Sequence, residues 1–216
     1  MIYSEKHRII FIASPKTGTV TVQSLLLEHL PDARKNRVPK GEQTFKIFGH
    51  AKAVDIRNQI GADYYDQHET IAFVRDPLAK FVSSYFFYRG HKRLWNQRPD
   101  IKVWAKLKIA IRLLFAKSLP FKIWAMLYPY KSNWGYLTDK QGNIIVKHIG
   151  RTQYLKEDLI RILNTIGVDT DDIEVGRKNS SKHSHHLEYY QANWFRTFVE
   201  YKLRKDIKLY EQLTTT

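Results

Sequence analysis

The chain of 216 residues contains no cysteine, which excludes disulfides and thiolate metal sites and leaves no need for an oxidising compartment. Long apolar runs are also missing. The longest run near the N-terminus, Ile9 to Ala13, is too short for the core of a signal peptide. No linker rich in Pro, Gly or Ser and no internal repeat divides the chain. We therefore predict a single domain over residues 1–216 and a cytoplasmic location.

Acidic residues are scarce: 21 Asp and Glu stand against 36 Lys and Arg, a net charge of +15. Residues 89–140 hold twelve of the basic residues and only two aspartates, which is +10 of that excess. Four of the five tryptophans lie in the same segment: Trp95, Trp104, Trp124 and Trp134. Within it, Ile101 to Ala116 mixes basic and apolar residues and predicts a basic amphipathic helix, too often charged to span a bilayer. We interpret 89–140 as a basic, Trp-rich helical insertion.

A short polar loop follows the first predicted strand, Arg8 to Ala13 (RIIFIA). The loop Pro15 to Thr19 (PKTGT) leads into Thr21 to Leu30, which has the pattern of a helix. A helix N-terminus attracts anions, and Lys16 adds a full positive charge, so the loop is expected to hold a phosphate-like group. In a Walker loop the lysine follows the last glycine, whereas Lys16 precedes Gly18. An ordinary strand-to-helix turn remains the alternative.

A second segment, Glu69 to Arg89 (ETIAFVRDPLAKFVSSYFFYR), has a similar organisation. Thr70 to Val74 predicts a strand, and a helix is expected to begin at Pro77 with Asp76 as its N-cap. Arg75 then lies at the carboxyl end of a strand, where open parallel sheets bind ligands. An arginine fork together with a hydroxyl, such as that of Ser83, is suited to a terminal phosphate.

The two segments resemble the donor-binding motifs of sulfotransferases, which use 3′-phosphoadenosine-5′-phosphosulfate (PAPS). The order P-K-T-G-T is similar to their 5′-phosphosulfate loop. The 3′-phosphate motif is matched by Val74, Arg75, Asp76, Pro77, Ser83 and Tyr85, with Lys80 in place of the family's second arginine. The resemblance implies that the 5′ group is held by Lys16, Thr17, Gly18, Thr19, Val20 and Thr21. It implies that Arg75 and Ser83 hold the 3′-phosphate.

The resemblance also implies a fold, a three-layer α/β domain with a P-loop-like parallel sheet flanked by helices. We place its strands near 8–14, 44–48, 70–74 and 144–149, with the nucleotide across their carboxyl ends. Sulfuryl transfer from this donor needs no metal. The histidine-rich stretch Lys182 to His186 (KHSHH) lacks the spacing of a metal site and is interpreted as a polar loop.

A third segment resembles one particular group of sulfotransferases. Gly49, His50 and Asp55 are similar to the G-H-x-x-x-x-D stretch of carbohydrate sulfotransferases, in particular the heparan sulfate 2-O-sulfotransferases. In those enzymes the histidine is the catalytic base, which implies that role for His50. Phe48 stands where they have another histidine. The open alternative for His50 is a residue that caps the following helix. Should His50 prove dispensable, Glu69 is the nearest carboxylate that could serve as the base.

The C-terminal part continues the resemblance. Gly150 and Arg151 match the family's G-R-x-E, with Gln153 in place of the glutamate. An amphipathic helix over Lys156 to Ile166, closed by Gly167, and a final helix ending in KDIKLYEQL are expected. The loop Asn179 to Ser181 is a candidate to close over the nucleotide.

Three uses of the basic segment are open. It can act as a lid that binds an anionic sugar, with acceptor contacts from Arg89, Lys92, Arg93 and Arg98. Residues 101–128 can instead make a peripheral contact with an anionic membrane that holds a lipid-linked acceptor. The third possibility is a solvated helix whose aromatic residues pack on the sheet. We favour the lid, since the relatives build their acceptor site from this part of the chain.

The resemblance thus implies an enzyme that transfers a sulfuryl group from PAPS to a hydroxyl of a carbohydrate, either a polysaccharide or a glycolipid. Lys16 and His50 are the implied catalytic residues. Two other functions remain open: a nucleoside-triphosphate-dependent kinase on a related fold, and a non-catalytic polyanion-binding protein. Neither nucleic acid nor a metal is expected as a partner, and the sequence leaves the oligomeric state open.

Overall fold

A computed structural model describes residues 1–90, 103–171, 173 and 185–214. The chain separates into two compact units. The first unit comprises residues 1–76, 131–179 and 205–216, and the second comprises 77–130 and 180–204. This division does not test whether the chain forms the single domain that the sequence predicts.

The strands within the described ranges are β1 (Ile2–Ser4), β2 (Ile9–Ile12), β3 (Arg34–Lys35), β4 (Arg37–Lys40), β5 (Gln43–Lys46), β6 (Glu69–Val74) and β7 (His148–Arg151). The α-helices are α1 (Thr19–His29), α2 (Ala53–Ile60), α3 (Ala62–Asp66), α4 (Pro77–Gly90), α5 (Val103–Ser118), α6 (Phe121–Leu127), α7 (Trp134–Leu137), α8 (Leu155–Thr165) and α9 (Asn193–Thr214). Short 3-10 helices cover Thr152–Tyr154 and His186–Tyr190.

The main sheet of the first unit has the strand order β3-β1-β2-β6-β7. Strands β2, β6 and β7 are parallel, whereas β1 pairs antiparallel with β2 and β3. The sheet is therefore mixed rather than parallel throughout. The apolar runs that predicted strands near 8–14 and 70–74 form β2 and β6, and both strands are almost completely buried, as central parallel strands are.

Both faces of this sheet are covered, which gives the first unit three layers. Because side chains alternate along a strand, Ile10 and Val74 enter one core together with residues of α2 and α3. Phe11 and Phe73 enter the other core with residues of α1 and α8. The expected α/β architecture with flanking helices is confirmed at this level.

The strand predicted near 44–48 is wrong as a member of the main sheet. Gln43–Lys46 pairs antiparallel with Arg37–Lys40 in a separate two-stranded sheet. Gly41 has φ of +55°, which favours the tight turn between the two strands. The residues of β5 are largely exposed, unlike those of a central parallel strand, because a hairpin of this kind buries little of either face.

The strand predicted near 144–149 is displaced along the chain. Ile144 makes only an isolated bridge to Thr138, and the paired strand β7 runs from His148 to Arg151. Lys147 is fixed just before the strand by its backbone N–H, which donates to Thr70 Oγ1. The carboxyl end of β7 therefore lies level with that of β6, because Arg151 pairs with Val74.

The second unit is helical and has an aromatic interior. Trp124 stacks on Tyr128 with ring centroids 4.3 Å apart, and Phe81 and Phe121 pack around this pair. Helix α5 confirms the helix predicted over Ile101 to Ala116, for the part that lies within the described residues. Helix α9 contributes its residues up to Arg204 to this unit.

Candidate active site at the carboxyl ends of β2 and β6

The loop after β2 has an unusual backbone. Lys16 and Gly18 both have positive φ, +65° and +72°. Helix α1 begins at Thr19 with Gly18 as its N-cap, and no side chain caps it. The N–H groups of the first turn of a helix have no acceptor within the helix, so this end of α1 is suited to an anion.

Gly18 is favoured here for two reasons. Its φ lies in the left-handed region, which glycine adopts without a steric penalty. A Cβ at this position would also lie 2.7 Å from Leu155 Cδ1, at the start of α8. Close packing of the loop against α8 therefore depends on the missing side chain.

The threonines of the loop are expected to act through their backbone. Thr17 is fully buried, and its Oγ1 donates a hydrogen bond to the carbonyl of Ser14 at 2.9 Å. Thr19 and Thr21 are also buried, whereas Val20 is 55% exposed. The hydroxyl of Thr17 is therefore engaged within the loop, and the contacts of these residues with a 5′ group stay a prediction.

Lys16 is held in an environment that disfavours its charge. Burial, with a smaller contribution from the charge of Arg75, lowers the pKa of Lys16 from 10.5 to about 8. Burial, partly opposed by Asp76, also lowers the pKa of Arg75. Two cations that are desolvated next to each other gain the most when an anion binds between them.

His50 is anchored to the same end of β2. Its Nδ1 lies 2.7 Å from the carbonyl oxygen of Ala13, and the ring is otherwise largely exposed. A carbonyl can only accept a hydrogen bond, so Nδ1 carries the proton and Nε2 is the basic nitrogen of the neutral ring. Asp55 lies in the first turn of α2, where it is exposed.

Asn133 links the two central strands at the site. Its Nδ2 donates to the carbonyl of Arg75 at 3.1 Å, and its Oδ1 accepts from Ser14 Oγ at 3.4 Å. The backbone N–H of Asn133 donates in turn to the buried carboxylate of Asp206 at 2.6 Å. This network holds the residues that follow β2 and β6 in a fixed relation.

Gly150 and Arg151, the last two residues of β7, have a structural role. A Cβ on Gly150 would lie 2.5 Å from the ring of Phe73, so a glycine lets β7 pack beside that residue of β6. Arg151 Nε donates to Asp158 Oδ2 at 3.0 Å, and its backbone N–H donates to the same oxygen. Asp158 thus supplies a carboxylate to Arg151, although Gln153 replaces the glutamate of the motif.

Glu69 is wrong as an alternative base. It begins β6, whereas Arg75 follows the other end of this six-residue strand, about 20 Å away at 3.3 Å per residue. The Glu69 carboxylate pairs instead with His148 Nε2 at 2.7 Å and Lys147 Nζ at 3.1 Å.

The first unit thus brings together Lys16, His50 and Arg75. Ser83 belongs to the second unit, where it is buried. Lys80, which stands in for the family's second arginine, is also buried there, with Nζ 5.3 Å from the ring centre of Tyr130. The described residues contain no group of three potential metal ligands.

Of the predicted acceptor contacts, Arg89 is within the described residues and belongs to the second unit. Arg89 donates to Tyr85 Oη at 2.6 Å and, together with Lys117, lines a shallow cavity of about 490 Å³. Lys92, Arg93, Arg98 and Trp95 fall outside the described residues, as do the loop Asn179 to Ser181 and Lys182. Trp124 is a core residue and Trp104 is 76% exposed, so the tryptophans do not share one role.

Sequence reasoning missed Ser14, Asn133, Asp158 and Asp206. Asn133 is separated from Ser14 by 119 residues and from Asp206 by 73, and no local pattern signals such contacts.

Comparison with known proteins identifies the family. Residues 1–213 match the family described as the sulfotransferase family. An uncharacterized protein of Archaeoglobus fulgidus is 28% identical over 122 residues, which cover 52% of this chain and 79% of that protein. No solved structure matches the chain. Because the family match extends over nearly every residue, the chain belongs to the sulfotransferase family.

Proposed function

We propose that the protein transfers a sulfuryl group from PAPS to a carbohydrate hydroxyl. The observation that carries this proposal is the convergence of Lys16, Arg75 and His50 at the carboxyl ends of β2 and β6. Two desolvated cations beside an uncapped helix N-terminus suit a donor with two separate phosphate groups. His50 offers a basic nitrogen at the same edge.

The proposed roles follow from these positions. His50 Nε2 accepts the proton of the acceptor hydroxyl while the hydroxyl oxygen forms a bond to sulfur. The bond between sulfur and the oxygen of the 5′-phosphate breaks in line, and the negative charge moves onto that phosphate oxygen. Lys16 and the first N–H groups of α1 stabilise this charge. Arg75 holds the 3′-phosphate, and the family resemblance assigns Ser83 to the same group.

Donor identity is tested by ligand-induced stabilisation. Adenosine 3′,5′-bisphosphate is expected to raise the melting temperature, because it binds only the folded protein. ATP and ADP, which lack a 3′-phosphate, are expected to have a smaller effect at equal concentration. Equal stabilisation by ATP, together with a requirement for magnesium, would instead favour the kinase. A protein that binds heparin with a steep salt dependence but ignores the bisphosphate would be a polyanion binder.

A carbohydrate acceptor is supported by Phe48. Its side chain is 84% exposed, two residues before His50. An exposed aromatic ring beside a general base provides an apolar surface for the face of a sugar. Phe48→Ala is expected to raise the KM for a carbohydrate acceptor severalfold, with Phe48→Tyr close to wild type and bisphosphate affinity unchanged. His50→Ala should lower kcat by about a hundredfold or more and also leave bisphosphate affinity unchanged.

Full activity of His50→Ala would remove the proposed base. An unchanged KM for Phe48→Ala would remove the sugar platform without affecting the donor assignment.

A further inference from the structure

Helix α5 of the second unit turns its apolar side outward. Leu113 and Ala116 are buried, while one face carries exposed apolar side chains at helical spacing: Trp104, Leu107, Ile111, Leu114 and Phe115. Trp104 is 76% exposed and Leu114 is 63% exposed. A helix on the surface of a soluble protein normally packs its apolar stripe against the core and exposes its polar side.

Helix α6 continues the pattern. Phe121, Trp124 and Ala125 are buried in the aromatic interior, and Ile123, Met126 and Leu127 are exposed. Lys202 Nζ of α9 donates to the carbonyls of Ala125 at 2.7 Å and Tyr128 at 2.8 Å, which fixes the C-terminal end of α6 from behind. The exposed side chains therefore belong to a helix that is held in place. We call the exposed apolar residues of α5 and α6 the outer face.

The charge around the outer face has one sign. Residues 103–130 contain five basic residues and no acidic residue; the basic residues are Lys106, Lys108, Arg112, Lys117 and Lys122. Helical spacing places Lys108 and Arg112 along the edge of the α5 stripe. Two copies of this surface would bring Lys108 and Arg112 of each copy together with no acidic residue of α5 or α6 to pair with them, so charge disfavours a second copy of the chain as the occupant.

We propose that the outer face binds an anionic lipid membrane, with α5 lying in the plane of the interface. At 1.5 Å per residue, a 16-residue helix presents about 24 Å of apolar stripe, enough for several side chains to enter the acyl boundary. Basic side chains beside the stripe reach the lipid phosphates, and Trp104 suits the headgroup level. No described helix is long and apolar enough to cross a bilayer, so this contact is peripheral.

This inference does not depend on the donor or acceptor of the reaction. It concerns only the exposed side chains of α5 and α6, and none of those residues is assigned to sulfuryl transfer. A failure of the membrane test would therefore leave the proposed function standing, and the reverse also holds.

The test is flotation with vesicles of phosphatidylcholine, with and without phosphatidylglycerol. Wild-type protein is expected to float with the anionic vesicles and weakly or not at all with phosphatidylcholine alone. The double variant Ile111→Ser and Phe115→Ser should lower the partition coefficient by at least about tenfold, because both side chains lose their burial in lipid. Ile111→Leu with Phe115→Leu keeps the apolar face and should bind like wild type.

Matched controls lie in the first unit. Leu27→Ser with Ile144→Ser removes two exposed apolar side chains from that unit and should leave flotation unchanged. Neutralising Lys108, Arg112 and Lys122 to glutamine is expected to lower binding by at least about tenfold, since each basic residue near an anionic surface contributes about fivefold. The same substitution of Arg34, Lys35 and Arg37, all exposed in the first unit, should have little effect.

Several results would overturn the proposal. One is wild-type protein that does not float with anionic vesicles. Another is a loss of binding in the first-unit charge variant as large as that in the outer-face charge variant, which would show attraction by net charge alone. A wild-type dimer in sedimentation that becomes a monomer in the Ile111→Ser and Phe115→Ser variant, with no vesicle binding by either, would assign the outer face to a second copy. Cooperative thermal unfolding of each variant verifies that it is folded.

Discussion

Each of the two units holds side chains in surroundings that they usually avoid: cations away from water in the first unit, and apolar side chains in water in the second. The first unit partly buries two cationic side chains, Lys16 and Arg75, at the end of the sheet, which lowers the pKa of both. The second unit keeps an aromatic core but leaves Trp104 and Leu114 in water. Burying a charge and exposing an apolar patch both cost free energy. Each cost is offset when a partner of the right kind binds, an anion in one case and an apolar surface in the other.

The comparison makes a separable prediction about variants. Substitutions at the sheet end should affect donor binding and turnover but not vesicle binding. Substitutions on the outer face should do the reverse. Flotation with anionic vesicles is the common control for every variant of the first unit.

The largest effect is expected at Lys16. Lys16→Ala and Lys16→Gly should each lower kcat by about a hundredfold or more, because both remove the charge that stabilises the leaving phosphate oxygen. Their stabilities should differ. Lys16 has φ of +65°, a conformation that costs a residue with a Cβ roughly 1–2 kcal/mol. Lys16→Gly should therefore unfold at a higher temperature than Lys16→Ala, as measured by calorimetry.

Equal stability of the two Lys16 variants would mean that the loop relaxes out of the left-handed conformation when the side chain is removed. Undiminished turnover of either one would contradict the role of the ammonium group.

Arg75 is expected to have the next largest effect. Arg75→Ala should weaken the binding of adenosine 3′,5′-bisphosphate by about 2 to 4 kcal/mol, since a phosphate loses its charge-assisted partner. Arg37→Ala removes an exposed arginine of β4 and serves as the matched control. Titration calorimetry measures both affinities. Equal affinities of the two variants would show that general charge, and not the position of Arg75, holds the ligand.

The sequence predicted those parts of the site that depend on local patterns. The run RIIFIA and the run TIAFV indicated buried strands, and the residues after them indicated ligand contacts, because the carboxyl ends of parallel strands are where such folds bind ligands. The segment 44–48 was correctly predicted as a strand, but it was assigned to the wrong sheet. Strand propensity does not identify the pairing partner, and only the turn at Gly41 pointed to a hairpin.

Other features depend on contacts that the sequence does not signal. The link from Asn133 to Ser14 and Arg75 joins residues far apart in the chain. The period of α5 was predicted, but a period identifies a face without saying whether it lies on a core or in water. The outward direction of the apolar stripe became apparent only with the burial of Leu113 and Ala116.

A smaller effect is expected from Asn133. Asn133→Ala removes both side-chain hydrogen bonds and leaves the carbonyl of Arg75 without this donor. A hydrogen bond of this kind contributes about 1 kcal/mol, so affinity for the bisphosphate should fall about fivefold. Asn143→Ala, at an exposed position of the first unit, is the control and should bind like wild type. If both variants lose the same affinity for the bisphosphate, or if neither loses any, Asn133 does not position Arg75.

The smallest effect is a pH dependence that belongs to Lys16. In the free protein burial, with a smaller contribution from Arg75, lowers the pKa of Lys16 to about 8, below its ordinary 10.5. Bound phosphate favours the ammonium form and raises this pKa, so binding takes up a proton above pH 8 and affinity falls as pH rises through that region. The phosphate groups contribute little there, since their second pKa is about 6.

The folding stability of the free protein depends on pH in the opposite direction. Between pH 8 and 10.5 the unfolded chain holds the proton that the folded chain has released, so the contribution of Lys16 to stability rises with pH. Calorimetry in two buffers of different ionisation enthalpy measures the proton uptake directly. Lys16→Met, which cannot titrate, should bind more weakly and show neither the uptake nor the decline; the same pH profile in that variant would assign the titration to another group.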